Sequence, residues 1–157
     1  MTEASRRVVE AACAVLMAAI TAAVFFQVLT RYVFRHPFVW PEELARYLFV
    51  WVALLGAALG VERGVHFSID LFTARLPRQV ADRLAAGLDG LLAAFAGLLA
   101  WQGILLAWGV REQPSAALEI SMAWPYAAIP TACLLMAGSL ARGAVRRWRA
   151  TREPPTP

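Results

Sequence analysis

His36 and His66 are the two imidazoles of this chain, and Cys13 and Cys133 are its two thiols. Four-helix membrane cytochromes hold haem iron between axial imidazoles, so haem ligation is the first chemistry to weigh. His36 follows the first long apolar run and His66 the second, which sets them at opposite ends of a helix about 30 Å long. They cannot share one iron. Both cysteines fall inside apolar runs, at no spacing that marks a metal or redox site, and read as small apolar filler. The sequence has no Ser/His/Asp set, no Cys/His cluster and no glycine-rich phosphate loop behind a strand. An enzyme is disfavoured, and no cofactor is required.

Solute transport would need an ionisable or polar site near the middle of a membrane. The apolar runs carry no Asp, Glu, Lys, Arg or His in their interiors. Glu10 follows the basic N-terminal residues and Asp89 borders the third run, where Arg6, Arg7 or Arg83 can neutralise them. A small proton-coupled exporter, which shares a central carboxylate between proton and substrate, is therefore disfavoured.

The distinctive polar residues gather around the first loop. Arg31 and Arg35 end the first run, and Trp40, Pro41, Glu42 and Glu43 open the second. Proline suits a first helical turn, and acidic side chains there complement the helix dipole. Glu42 and Arg46 are four residues apart and Glu43 and Arg46 three, so both can pair along one helix. Arg31 or Arg35 can also reach Glu43 across the hairpin. Charge pairs near the interface cost less than at the bilayer centre and still fix two helices in register. Further along, Gly56, Gly60 and Gly64 recur every four residues and would let another helix approach closely. Trp40, Trp108 and Trp124 fall where an outer aromatic belt would lie and Trp148 where an inner one would, while Trp51 and Trp101 are placed to pack between helices.

The elements that must position these residues follow from composition. Of 157 residues 60% are apolar and 17% charged, with a mean hydropathy of +0.57. Soluble domains average about 45–50% apolar and about 25% charged, so disorder is excluded and a water-soluble globule is disfavoured. The runs Ala11–Leu29, Leu44–Val61, Gly90–Val110 and Met122–Ala141 are each long enough to cross hydrocarbon, which takes roughly 20 helical residues. Unpaired backbone is intolerable in lipid, so these are helices. The fold class is all-α: one domain over 1–150, with spans at approximately 9–33, 42–62, 84–110 and 122–142, and a proline-rich disordered tail over 151–157. Pro130 should bend the fourth span. Between the second and third spans, Leu71, Phe72 and Leu76 predict a short interfacial amphipathic helix capped near Ser68 or Asp70.

The net charge of +4 does not point to nucleic acid. All 15 basic residues are arginines standing beside apolar runs, as anchors to lipid headgroups and topology signals do. Eleven lie on the side of the termini and the middle loop, and four on the other. The positive-inside rule then places both termini in the cytoplasm of a multi-pass inner-membrane protein. Ser5-Arg6-Arg7 is similar to the start of a twin-arginine signal, but the run behind it is too long and lacks a small-residue cleavage site.

Arg31-Tyr32-Val33-Phe34, then Pro37, Trp40, Glu42-Glu43, Trp51 and Gly56, followed by Gly64-x-His66-x-x-x-Asp70 and later Ala128-Ile129-Pro130, form an ordered series. That series resembles the small membrane subunit of tripartite ATP-independent periplasmic (TRAP) transporters, the DctQ-type small permease family. The resemblance covers nearly the whole chain, with the loop after Glu112-Gln113-Pro114 matching least. It implies an accessory scaffold packed against a large DctM-type membrane subunit that holds the substrate and sodium sites. It also implies help in docking a periplasmic substrate-binding protein for ion-gradient-driven uptake of an organic acid. Arg31, Arg35, Trp40, Glu42, Glu43 and Arg46 would then organise the outer hairpin, Gly56, Gly60 and Gly64 a helix contact, and His66 and Asp70 the inner turn. A self-contained small transporter, or a subunit of another membrane complex, is the competing reading.

Overall fold

Each apolar run is helical in the computed structural model, which describes residues 3–36, 38–63 and 78–150. The expected interfacial helix, with Gly64, His66 and Asp70, lies outside the described residues, as does the tail. Helix α1 spans Glu3–Tyr32, α2 Trp40–Glu62, α3 Arg78–Gly109, α4 Ala123–Tyr126 and α5 Ala128–Ala150. At both ends of α1 and at the C-terminal end of α5 the charge suits the helix dipole. Glu3 lies in the first turn of α1 and Arg31 in its last, and Arg147 and Arg149 lie in the last turn of α5. Pro41 opens α2, where its missing N–H would have had no helical partner. With 32 residues, α3 is about 48 Å long and exceeds the hydrocarbon thickness, so its first turns carry polar residues beyond the apolar run.

The fourth span is made of two pieces. Pro130 has no N–H to offer the Tyr126 carbonyl, and the helix breaks at Ala127. Thr131 bridges the break: its backbone N–H (3.3 Å) and its hydroxyl (2.7 Å) both donate to the Ala127 carbonyl. The bend expected at Pro130 is thus a one-residue interruption, kept in register by the next side chain.

Packing proceeds by neighbours. Helix α1 lies along α2, α3 along α5, and the two pairs meet where α2 crosses α5; the short α4 rests on α3 and α2. The resulting order is α1–α2–α5–α3, with α1 and α3 as the outer members. What is buried is mostly small: Ala58 and Ala100 are 1% exposed, and Ala128 and Ala132 are fully covered. Lipid tails are as apolar as leucine, so helices inside a bilayer associate through close backbone approach, which alanine and glycine permit. Among the described glycines, the tightest fit is at Gly103 of α3. A Cβ there would stand 2.9 Å from Pro130 Cδ and 3.1 Å from Pro130 N. Large side chains are turned outward on the two outer helices, among them Phe25 (63% exposed), Phe95 (56%) and Trp101 (60%).

Candidate functional site

The α1–α2 turn and the segment between α3 and α4 occupy one end of the molecule; the start of α1 and the end of α5 occupy the other. Residues 110–122 form a small hairpin. Ser115 N–H donates to the Ile120 carbonyl (2.8 Å) and Met122 N–H to the Gln113 carbonyl (2.9 Å), around an antiparallel bridge between Pro114 and Ser121. Glu119 closes the tip with a φ of 54°, in the left-handed region that non-glycine residues seldom enter. Ser121 Oγ ties the base, donating to the Arg111 carbonyl (2.6 Å) and accepting the Ala123 N–H (3.2 Å). The Arg111 guanidinium stacks 4.3 Å over the Trp108 ring and pairs with Glu112 at 3.1 Å.

Three successive N–H groups at the hairpin tip converge on one carboxylate. Glu43 Oε1 accepts from Ala116 N (3.1 Å), and Oε2 accepts from Ala117 N (2.7 Å) and Leu118 N (3.1 Å). Consecutive backbone N–H groups in a turn form an anion-binding concavity, and here the anion is the protein's own side chain. Tyr47, one turn further along α2, donates its hydroxyl hydrogen to Glu43 Oε1 while its oxygen rests 3.3 Å from Met122 Sδ. Trp51, another turn on, packs against Trp124 with ring centroids 5.7 Å apart. Positions 43, 47 and 51 are thus one stripe of α2 that holds the α3–α4 connection from tip to base.

The neighbouring acid does different work. Glu42 Oε1 pairs with Arg46 Nη2 at 3.2 Å, and Glu42 Oε2 accepts from Gln27 Nε2 of α1 at 3.4 Å. Two expected pairings are corrected. Neither Arg31 nor Arg35 meets Glu43, because that carboxylate is already engaged by the hairpin, and the acid that reaches α1 is Glu42. Arg46 likewise pairs with Glu42 and not with Glu43. Arg31 and Arg35 are exposed, beside Tyr32 (73% exposed), Val33 and Phe34. Arg35 itself adopts a left-handed φ of 52°. Trp40 tilts against Phe26 at 5.6 Å, which adds an aromatic clasp to the α1–α2 turn.

Gly56 and Gly60 sit on the same helix, and a Cβ at either would meet nothing within 4 Å among the described residues. The glycine packed most tightly against another helix is instead Gly103, among the described residues. Trp101, expected between helices, is 60% exposed, and Trp124, expected in an outer belt, lies tilted against Trp51 while 53% exposed.

At the opposite end, Glu10 receives Arg63 (2.9 Å) and Arg6 (3.6 Å), and Asp89, 5% exposed, receives Arg147 at 3.3 Å. Arg6 is among the partners the sequence suggested; Arg63 and Arg147 come from neighbouring helices that a linear reading could not select. Tyr47, Gln27, Gly103 and the N–H groups of residues 116–118 were also missed. For Tyr47 a signal existed, since 43, 47 and 51 share a face at helical spacing.

The chain matches the family model described as "Tripartite ATP-independent periplasmic transporters, DctQ component" over residues 20–150. It is 38% identical over 74 residues to the sialic acid TRAP transporter small permease protein SiaQ of Vibrio cholerae, covering 47% of this chain and 43% of that one. It is 33% identical over 122 residues to the sialic acid TRAP transporter permease protein SiaT of Haemophilus influenzae, covering 77% of this chain and 20% of that protein. It is also similar to a C4-dicarboxylate TRAP transporter small permease protein, DctQ, of Rhodobacter capsulatus, at 53% identity over 38 residues, 24% of this chain and 17% of the relative. The aligned stretches therefore span less than half the length of each of these relatives. A match over residues 20–150, on helices long and apolar enough to cross a membrane, shows that this multi-pass membrane protein belongs to the DctQ-type small permease family of TRAP transporters.

Proposed function

We propose that this chain is the accessory scaffold of a TRAP transporter. It would stabilise a large membrane subunit and help dock a periplasmic substrate-binding protein during sodium-coupled uptake of an organic acid. The observation that carries the reading is the space that the described residues leave open over Gly56 and Gly60. Inside lipid a small-residue face gains its packing energy only when another helix closes on it, and no helix of the described chain does. The match to one fifth of a longer permease supports the same view, because a small unit that occurs within a larger transport polypeptide has a standing neighbour there. The sialic acid and C4-dicarboxylate relatives support an organic acid as cargo.

For the binding protein, the loop-bearing end offers a suitable surface. The Glu43-anchored hairpin is held to α2 by side-chain and backbone bonds. Beside it Arg31, Arg35, Tyr32 and Phe34 are exposed. With the arginine-rich end in the cytoplasm by the positive-inside rule, this surface faces the periplasm of the inner membrane.

Reconstitution tests the proposal. Proteoliposomes containing this chain, a TRAP large permease encoded with it and the cognate binding protein should take up substrate under an inward sodium gradient. Omitting this chain should abolish or strongly reduce uptake, and this chain alone should give none. Uptake by the chain alone would establish the competing reading of a self-contained carrier.

A further inference from the structure

Helices α3 and α5 separate near the arginine-rich end and leave a groove of about 430 Å³. Its floor is apolar and low, made by Ala86, Gly87, Gly90 and Ala144, and a Cβ on Gly87 or Gly90 would meet nothing within 4 Å among the described residues. Its mouth is formed by Trp148 and Arg149. The walls are fixed to one another by the buried Asp89, whose carboxylate pairs with Arg147 and sits 3.3 Å from the Cβ position of Gly143.

We infer that this groove binds one anionic phospholipid, with an acyl chain along the glycine floor and the phosphate at Arg149. The groove has the two chemistries of an amphiphile in the right order: an apolar trough ending in an indole and a guanidinium. Tryptophan favours the headgroup level of a membrane, and a guanidinium matches phosphate oxygens in a bidentate fork. Charge bookkeeping on α5 agrees. Arg147 is neutralised by Asp89, whereas Arg146 and Arg149 have no acidic partner among the described residues, so positive charge is left at the mouth. A partner helix would also tolerate the small-residue floor, but it would have to bring an acidic group to the headgroup level, whereas the membrane supplies one at that depth. This site is on a different helix pair from the Gly56 face, so it stands independently of the scaffold reading.

Native mass spectrometry of the full chain, released from detergent after incubation with phosphatidylglycerol or phosphatidylcholine, tests the site. One phosphatidylglycerol should be retained in preference to phosphatidylcholine by on the order of tenfold, as expected for a charge-assisted contact in a partly apolar site. Arg149→Gln should remove the preference and Arg149→Lys should keep part of it. Gly90→Leu should remove retention of both lipids while leaving the helices intact, since leucine is a better helix former than glycine and its Cβ enters open space. Arg7→Gln, on α1, should change nothing. Equal retention of the two lipids by the unaltered chain would overturn the inference. So would phosphatidylglycerol binding that survives Gly90→Leu, because the headgroup would then be held without the groove.

Discussion

Glu43 Oε2 stands 2.7 Å from the backbone nitrogen of Ala117, joining two positions 74 residues apart. Ala116 and Leu118 complete the same cradle, so a loop between two helices is fastened by a side chain from a third. An amide at position 43 would offer one acceptor oxygen where two stood and would point an N–H₂ group at backbone donors. Glu43→Gln should therefore raise hydrogen exchange at Ala116, Ala117 and Leu118 by on the order of tenfold, with the helices unchanged. Glu42→Gln, which alters only the Arg46 and Gln27 contacts, should leave those three amides protected. Equal exchange in Glu43→Gln and the unaltered chain would show that the carboxylate does not hold the hairpin.

Gly103 and Gly56 give opposite outcomes for the same substitution. Alanine is the better helix former by about 0.8–1.0 kcal/mol, and at Gly56 nothing stands in its way. Gly56→Ala should leave the melting temperature of the isolated chain in detergent unchanged or slightly raised. At Gly103 the new methyl would press on Pro130 Cδ and on its backbone nitrogen, which cannot turn aside as a flexible side chain would. Gly103→Ala should lower stability by about 1–3 kcal/mol, the usual cost of overpacking. A neutral Gly103→Ala would mean that α3 and α5 shift apart freely.

These two glycines also show what a sequence can and cannot reveal. Long apolar runs dictate helices because lipid leaves backbone groups no other partner, and the helical fold follows from that constraint. The Glu42–Arg46 pair was legible for a similar reason, since four residues along a helix is one turn. Contacts between helices were not legible, because rotation about each helix axis decides them. Gly56 and Gly60 carry a recognisable spacing yet a Cβ on either meets none of the described residues, while Gly103, in no motif, has the tightest fit of the described glycines. Glu43 stands in the sequence as an acid in a first helical turn with arginines in reach. Its actual partners are backbone groups of a hairpin, and backbone donors leave no trace in residue identity.

Asp89 and Arg147 couple α3 to α5 at the arginine-rich end. Asp89 is almost fully covered, whereas Arg147 keeps 38% of its side chain exposed, so solvent screens one partner only. Losing the carboxylate should cost about 1–3 kcal/mol, less than the 3–5 typical of a fully buried pair. A double-mutant cycle with Asp89→Asn and Arg147→Gln, read by thermal unfolding in detergent, should return a coupling of roughly 1 kcal/mol. Additive losses would place Arg147 in solution, unpaired.

The scaffold reading separates folding from assembly at Gly56 and Gly60. A Cβ at either position meets none of the described residues within 4 Å, so Gly56→Leu and Gly60→Leu should fold, stay monodisperse in detergent and keep the Glu43 cradle. If a helix of the large permease closes on this face, the same leucines must hold it off by the depth of a side chain, and close packing is lost across the contact. Co-purification with the large subunit should then fall about tenfold, equivalent to about 1.4 kcal/mol of association free energy. Substituting the exposed Phe95 of α3 by leucine provides the control, since one lipid-compatible side chain replaces another there. Gly103→Ala serves as the complementary case, weakening the isolated chain before any partner is added. Undiminished assembly of both leucine variants would move the interface to another face of the molecule.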